Sequence, residues 1–233
     1  MTIKIQLVQL CKATTEFVET NGVSLVEDVQ KGAGGLLEWL HFLNAYKRTG
    51  VANELLDAVA SSIRETAACV ALGLVRPALF SMRTQIDLVL AWLYFKDHPI
   101  EWRLVNHTGD GFKLKKELLD YLTNTVDGFG ARHGILRQIS TRKEVDTYRL
   151  LSAHIHGQST PVLPVMEDLS DVVHSQGLCK EVADLVRELA EYVGDVLYAV
   201  YAPEFSALPA SIVCAANSRF VSPKQRKDFY EGL

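Results

Sequence analysis

The amino-acid sequence predicts an all-α protein, a multi-helix bundle with no significant β-sheet. Apolar residues recur at the i, i+3 and i+4 spacing of amphipathic helices through most of the chain, and no segment shows the alternation typical of a half-buried strand. The 233 residues are 48% hydrophobic and 22% charged. A chain of this length can bury a large apolar core without disulfides, because the buried fraction of the surface rises with chain length.

The first half of the chain contains the longest predicted helices. An apolar stripe that starts at Leu7 is predicted to end at residues 21–22 (Asn-Gly), and a second helix is predicted from about residue 24 to residue 48. The three glycines within residues 31–35 predict a kink or break in this second helix. Residues 51–97 are apolar on nearly every side, which places their helices at the centre of the bundle.

Prolines and a capping pair predict where three further helices begin. Pro77 is predicted to start or kink a helix, and Pro99 to open a short one. Thr141 is predicted to form a capping box with Glu144, and so to start a helix that runs to about His156.

The remaining helices are predicted at residues 113–124, 131–139 and 178–201. The 178–201 helix is strongly amphipathic. Residues 1–203 are predicted to form one helical bundle domain. Residues 204–233 are predicted to form a helical tail that packs on it, with a helix start at Ser222-Pro223.

The composition predicts a cytoplasmic protein without a metal or another cofactor. The four cysteines stand alone, with no CxxC pair and no Cys/His cluster at zinc-ligand spacing. The first twenty residues are unlike a signal peptide, and charged residues interrupt the most apolar stretch, 66–95, so no membrane span is expected. No dinucleotide turn, nucleophile elbow or di-metal Glu-x-x-His pair supports a small-molecule enzyme or a ligand-binding bundle.

The most distinctive segment is residues 148–157, which is predicted to form a helix that stops at Gly157. At about 100° per residue, Arg149, Ser152 and His156 project from one flank of this helix. The directions of Arg149 and His156 differ by about 20°, and the two residues lie roughly 10 Å apart along the axis. The core face is formed by Tyr148, Leu151 and Ile155, and His154 lies on the opposite flank.

These side chains can act on an RNA phosphodiester. A histidine titrates near neutral pH, so it can move a proton to or from a ribose hydroxyl. An arginine offers a planar fork that matches phosphate oxygens and the charge that builds on them. A serine can position the phosphate or orient the imidazole, and no metal is required.

The arrangement resembles the HEPN superfamily, small α-helical proteins that include many metal-independent ribonucleases. The family motif is an arginine followed, after four to six residues, by a histidine, and Arg149 matches this spacing with both His154 and His156. The resemblance implies a metal-independent endoribonuclease of phage defence or of a toxin–antitoxin system. It implies a homodimer in which two such helices meet, and the implied catalytic residues are Arg149, Ser152, His154 and His156.

A wider pattern, Tyr148-Arg149-x-x-Ser152-x-x-x-His156-Gly157, is similar to HEPN-like bacterial proteins of unassigned activity. In those proteins an earlier apolar helix carries an arginine and an acid four residues apart, and Arg83 and Asp87 would supply this pair here. On an apolar helix the two charges are predicted to form a buried ion pair that neutralises both.

A mildly basic segment is predicted to guide RNA to the site. Residues 112–149 carry eight Lys/Arg against five Asp/Glu, in a chain whose net charge is −4. Clustered cations bind polyanions because they release condensed counterions. The predicted RNA-binding residues are Lys113, Lys115, Lys116, Arg142 and Lys143.

The same residues also fit a non-catalytic helical subunit of a defence or regulatory complex, bound to a partner protein. Leu150 follows the arginine where active HEPN members usually carry a polar residue, and the high apolar fraction favours a partner interface. Arg149 then pairs with an acidic neighbour at position 144 or 146, and His156 caps the helix, whose dipole stabilises a cation at that end. His154 becomes a half-buried, hydrogen-bonded histidine, and the lysines form a solvated helix face.

Overall fold

The computed structural model describes residues 2–144, 146–158 and 165–233. These residues fold mainly into α-helices, with no strand among them, which confirms the all-α prediction. Within the described residues, every helix falls short of the combined length and hydropathy that a membrane crossing requires. The α-helices are α1 (Ile3–Phe17), α2 (Val23–Tyr46), α3 (Asn53–Ala71), α4 (Val75–Phe95), α5 (Pro99–Thr108), α6 (Lys115–Thr125), α7 (Phe129–Gln138), α8 (Thr147–His156), α9 (Gln176–Tyr201), α10 (Ala210–Asn217) and α11 (Pro223–Glu231).

The chain divides into two compact units. Four of the five unit boundaries fall within helices, namely α2, α3, α4 and α9, and each unit is built from three separate parts of the chain. Residues 204–233 lie within the second unit, and the predicted division into a 1–203 domain and a tail stays a prediction. The first unit consists of Met1–Gly34, Ser61–Gln85 and Asp146–Ala190, and the second of Gly35–Ala60, Ile86–Val145 and Glu191–Leu233.

The first unit has an aliphatic core. Val29 of α2, Met82 of α4 and Leu151 of α8 are completely buried. Helix α9 contributes a regular stripe, which confirms the amphipathic face predicted for residues 178–201. The buried residues of this stripe within the first unit are Cys179, Val182, Ala183, Val186, Leu189 and Ala190.

The second unit has an aromatic core. The rings of Tyr198 and Phe229 stack at 5.1 Å with an interplanar angle of 9°, and Trp39 meets Tyr198 edge-on at 6.3 Å. Helix α11 also packs on α7, where Arg132 Nε donates to the backbone oxygen of Phe229 at 3.1 Å. These contacts hold the C-terminal helix within the unit.

The predicted helix starts at prolines are confirmed. Pro77 lies in the first turn of α4 and Pro99 is the first residue of α5, positions where the missing backbone N–H removes no helical hydrogen bond. Ser222 caps α11, because its Oγ accepts the backbone N–H of Gln225 at 3.1 Å.

The prediction that the first helix ends at residues 21–22 is wrong. The helical path continues from α1 through a π-helical turn, Val18–Gly22, directly into α2. Asn21 Nδ2 donates to the Phe17 carbonyl at 3.3 Å, so the asparagine serves the helix instead of ending it. Gly22 is buried, and a Cβ at this position would lie 3.3 Å from Val18 Cγ1, closer than an ordinary contact.

The predicted break at the glycines of residues 31–35 is also wrong, because α2 runs without interruption through them. The alternative, a kink, stays a prediction. A Cβ on Gly32 would lie 3.1 Å from the Arg187 nitrogen and 3.4 Å from Val186 Cβ, so this glycine permits close contact with α9. The burial of Leu25, Val29 and Leu36 stabilises the helix enough to offset the low helix propensity of glycine.

The predicted helix start at Thr141 is wrong too. Helix α8 begins at Thr147, and its N-cap is Asp146. The backbone N–H of Thr141 donates to Glu191 Oε1 at 2.8 Å, and its hydroxyl bonds to the same carboxylate. Thr141 is therefore bonded to α9 through its backbone N–H and its hydroxyl, and α8 begins six residues further on.

Candidate functional site

Helix α8 carries the predicted catalytic residues, and local features define its two ends. The Asp146 carboxylate accepts the backbone N–H of Arg149 at 3.2 Å, which satisfies a donor of the first turn. At the other end Gly157 adopts a left-handed conformation with φ 56°, and its N–H donates to the Ala153 carbonyl. The predicted stop at Gly157 is confirmed.

The helix turns one side inward and presents the predicted catalytic flank on the outside. Leu151 and Thr147 are its buried residues. Arg149 and His156 are both exposed, and Ser152 is half-buried. A guanidinium and an imidazole, two turns apart on one helix, are thus both accessible from solvent. In the predicted core face Leu151 is buried, whereas Tyr148 and Ile155 are half-buried.

Arg83 of α4 reaches across to α8. Its Nε donates to Ser152 Oγ at 3.0 Å, and its guanidinium carbon lies 3.5 Å from the centre of the Tyr148 ring. Nη2 of the same side chain is also hydrogen-bonded to the Tyr148 hydroxyl. A cation held over a tyrosine face is attracted by the ring quadrupole. One arginine therefore fixes two residues of α8, one on its core face and one on its catalytic flank.

The contact with Arg83 defines what Ser152 can do. A serine hydroxyl has one donor hydrogen and two acceptor lone pairs, and Arg83 uses one of the lone pairs. The hydroxyl hydrogen then points away from the guanidinium and can be donated to a third group. Beside Arg149 and His156, a phosphate oxygen is a suitable acceptor for it.

The residues of the predicted Arg83–Asp87 pair lie on one helix, with Asp87 one turn further along α4. Asp87 is half-buried. The ion pair itself stays a prediction. The partners of Arg83 on α8 were not predicted, because 65 and 69 residues of chain separate them from Arg83 and no local pattern reports such a contact.

The two histidines of α8 have different surroundings. His154 is half-buried, and burial lowers the pKa of its imidazole below the usual 6.5, because a low-dielectric environment disfavours the charged form. His156 lies in the last turn and is exposed. Exposure makes His156 the better placed of the two for proton transfer with a large substrate.

The predicted RNA-binding residues belong to the second unit, and most of them are engaged within it. Lys113 Nζ lies 3.2 Å from Glu101 and 5.4 Å from the centre of the Tyr94 ring. Lys115 Nζ lies 5.4 Å from the centre of the Tyr192 ring. Lys116 and Lys143 are exposed.

Arg142 is buried, with a side chain that is 0% exposed, and it forms an ion cluster with α9. Its Nη1 lies 2.6 Å from Asp195 Oδ2 and 3.4 Å from Glu191 Oε1. Arg219 contacts the same two carboxylates at 2.6 and 3.3 Å. RNA has no access to this guanidinium, so we correct the predicted RNA-binding set by removing Arg142 from it.

Burial raises the pKa of Asp195, and the two guanidinium groups act against this rise.

Comparison of the chain with protein-family models, with curated proteins and with solved structures found no match. The resemblance to the HEPN superfamily therefore rests on the residues quoted above. Among the described residues, no three His, Cys, Asp or Glu side chains are grouped as metal ligands would be. The candidate site therefore consists of residues of α8 and of the α4 arginine that contacts them.

Proposed function

We propose that this chain is a metal-independent endoribonuclease of the HEPN type that acts in phage defence or in a toxin–antitoxin system. The proposal depends on one observation: Arg149 and His156 are both exposed on α8, the helix on which Arg83 holds Ser152. RNA as the substrate, a homodimer as the assembly and the cytoplasm as the location belong to the same proposal.

The proposed reaction transfers the phosphodiester to the neighbouring ribose hydroxyl. The 2′-oxygen forms a bond to phosphorus while the bond from phosphorus to the 5′-oxygen breaks, which leaves a 2′,3′-cyclic phosphate and a 5′-hydroxyl. His156 takes the proton of the 2′-hydroxyl or gives one to the departing 5′-oxygen. Arg149 binds the non-bridging oxygens and stabilises the charge that builds on them. Ser152 donates its hydroxyl hydrogen to the phosphate.

The test is cleavage of a single-stranded RNA by the purified protein in EDTA. Replacing His156 by alanine is expected to slow cleavage by about 10²- to 10⁴-fold, which is the usual contribution of a general acid or base. Arg149→Gln is expected to lose activity as well.

The matched control is His107→Ala. His107 is also an exposed histidine in the last turn of a ten-residue helix, α5, and it lies outside the proposed site. Circular dichroism should show the same helical content in every variant. Cleavage by His156→Ala at the wild-type rate, or an absolute need for a divalent cation, contradicts the proposed mechanism.

A second function, a non-catalytic helical subunit of a larger complex, is favoured by the exposed apolar side chains of α1, among them Ile3, Leu7 and Val8. In that function the purified chain does not cleave RNA, and His156→Ala binds the partner protein as tightly as the wild type does. Cleavage that is lost in His156→Ala excludes this second function as the sole one.

A further inference from the structure

Within the first unit, helix α4 exposes an aromatic ring close to the arginine that holds the candidate site. Phe80 is 38% exposed, whereas Leu79 is 3% exposed and Met82 is completely buried. Phe80 precedes Arg83 by three residues, which is about 4.5 Å along the helix axis. Its direction differs from that of Arg83 by about 60°, toward the exposed Thr84. The ring thus lies on the solvent side of α4, beside the residue that reaches α8.

Arg76 stands over this ring. Its guanidinium carbon is 5.3 Å from the centre of the Phe80 ring, close enough for attraction by the ring quadrupole. Across the part of the chain that the structure describes, the guanidinium has no acidic partner, and its Nε has no hydrogen-bond acceptor. Arg76 is half-buried and not enclosed. It is therefore a cation that can still bind an external anion.

The stretch of chain around Phe80 carries positive charge only. Residues 66–86 contain two charged side chains, those of Arg76 and Arg83, and no acid. The directions of these two arginines on α4 differ by about 20°, and they lie roughly 10 Å apart along the axis. Arg83 Nε donates to Ser152 Oγ at 3.0 Å. The line of two cations therefore starts at the predicted catalytic flank of α8, with the exposed ring between them.

A single strand of RNA matches this combination of groups. Its unpaired bases stack on aromatic rings and on guanidinium planes, and the phosphates between the bases bind cations. In a duplex each base is already paired and stacked on both faces, so the ring of an exposed phenylalanine gains no contact. A ring between two arginines is thus suited to one base and the phosphates on either side of it.

We propose that Phe80 and Arg76 form a subsite for the nucleotide next to the scissile phosphate. The base stacks on Phe80, and Arg76 binds the phosphate on the far side of that nucleotide. This subsite rests on the proposed ribonuclease function, because Ser152 and its neighbours on α8 define which phosphate is the scissile one. It selects single strands and accepts any base, since every base has a π-face.

The first test uses a single-stranded RNA in which every 2′-hydroxyl but one is methylated, so that one linkage can be cleaved. Two further strands each lack the base of one nucleotide, on one side or the other of that linkage. The wild type is expected to lose about 5- to 150-fold in kcat/KM on one of these two strands, the range that a stacked base contributes. Phe80→Ala is expected to lose as much on the complete strand and to be insensitive to the missing base.

Two other substitutions separate stacking from support of the fold. Phe80→Tyr keeps a flat ring and is expected to retain the sensitivity to the missing base. Phe80→Leu keeps an apolar side chain without a π-face and is expected to behave as Phe80→Ala does. Phe205→Ala is the matched control, because Phe205 is a phenyl ring of the second unit that is 49% exposed. Wild-type sensitivity to the missing base in Phe80→Leu overturns the stacking contact.

The second test measures binding of the fully methylated strand, which cannot be cleaved by its own hydroxyls, at several salt concentrations. Arg76→Gln is expected to reduce the slope of log Kd against log salt concentration by about 0.7, because one phosphate fewer is neutralised on a single strand. Arg226→Gln, at an exposed arginine of α11, is the matched control and should leave the slope unchanged. An unchanged slope in Arg76→Gln overturns the phosphate contact.

The two measurements distinguish a failure of the subsite from a failure of the ribonuclease. If the wild type cleaves the complete strand and Phe80→Ala cleaves it equally well, the subsite is wrong and the ribonuclease stands. If the wild type cleaves nothing but binds the methylated strand more tightly than Phe80→Ala does, the ribonuclease is wrong and the stacking contact stands. A wild type that binds no single-stranded RNA overturns both.

Discussion

Among single residues, His154 gives the clearest dependence on pH. Burial holds its folded-state pKa below the unfolded value of 6.5, so the unfolded chain binds a proton more readily than the folded chain does. Above about pH 6.5 the imidazole is neutral in both states and has no effect on stability. As the pH falls below that value, the free energy of unfolding decreases, until the folded-state pKa is passed.

We therefore expect His154→Gln to remove part of the acid sensitivity of the fold. The measurement is urea unfolding of wild type and variant at several values between pH 7 and pH 5. As the pH falls, the free energy of unfolding of the wild type should decrease more than that of His154→Gln. A His107→Gln series controls for the loss of an exposed imidazole. If the wild type and His154→Gln lose the same free energy of unfolding as the pH falls, burial of His154 does not cause the acid sensitivity of the fold.

At the residue scale the sequence predicted the accessible flank of α8 and the buried stripe of α9, but not the burial of Arg142. The exposed flank of α8 followed from helical spacing, because a helix with one buried side must expose the other. Arg142 was misassigned to an RNA surface, since the sequence shows its charge and not its burial. Its partner Asp195 lies 53 residues away, and only the tertiary fold brings the two together.

Among the helices, α2 offers a comparison between two of its glycines. A Cβ on Gly34 meets nothing within 4 Å, whereas a Cβ on Gly32 lies 3.1 Å from a backbone nitrogen of α9. Gly34→Ala should raise the free energy of unfolding by about 0.5–1 kcal/mol, because alanine favours the helix. Gly32→Ala should lower it by about 1 kcal/mol, since the added methyl group forces α2 and α9 apart.

Urea unfolding of the two variants checks this prediction, and each serves as the control for the other. Equal stabilisation by both substitutions would mean that α9 moves aside at no cost. That result contradicts the close contact with α9 by which we explain the glycine at position 32.

At the scale of elements the sequence predicted helices reliably and some of their ends incorrectly. Prolines and the Ser222 cap act locally, so their effect could be predicted from the residues themselves. Gly32 and the hydroxyl of Thr141 gave misleading signals, because each is used in a contact with α9. The local conformational preference of a residue is overridden where a long-range contact satisfies the same polar atoms or fills the same space.

At the scale of the whole molecule, the all-α class followed from periodicity alone, whereas the two compact units did not. Four of their five boundaries fall inside continuous helices, where the sequence shows no linker. The exposure of the apolar side chains of α1 was likewise missed, because its apolar stripe is the same pattern that predicts a core face. Periodicity shows that a helix has an apolar side. It does not show which part of the molecule covers that side, or whether any part does.

The most direct test of the proposed chemistry compares two versions of one single-stranded RNA in EDTA, one natural and one with every 2′-hydroxyl methylated. If Arg149 and His156 act as proposed, the natural strand is cut, the methylated strand stays intact, and the products carry 2′,3′-cyclic phosphate and 5′-hydroxyl ends. Cleavage of the methylated strand, or products with 5′-phosphate ends, contradicts the account, because neither can arise from attack by the ribose hydroxyl.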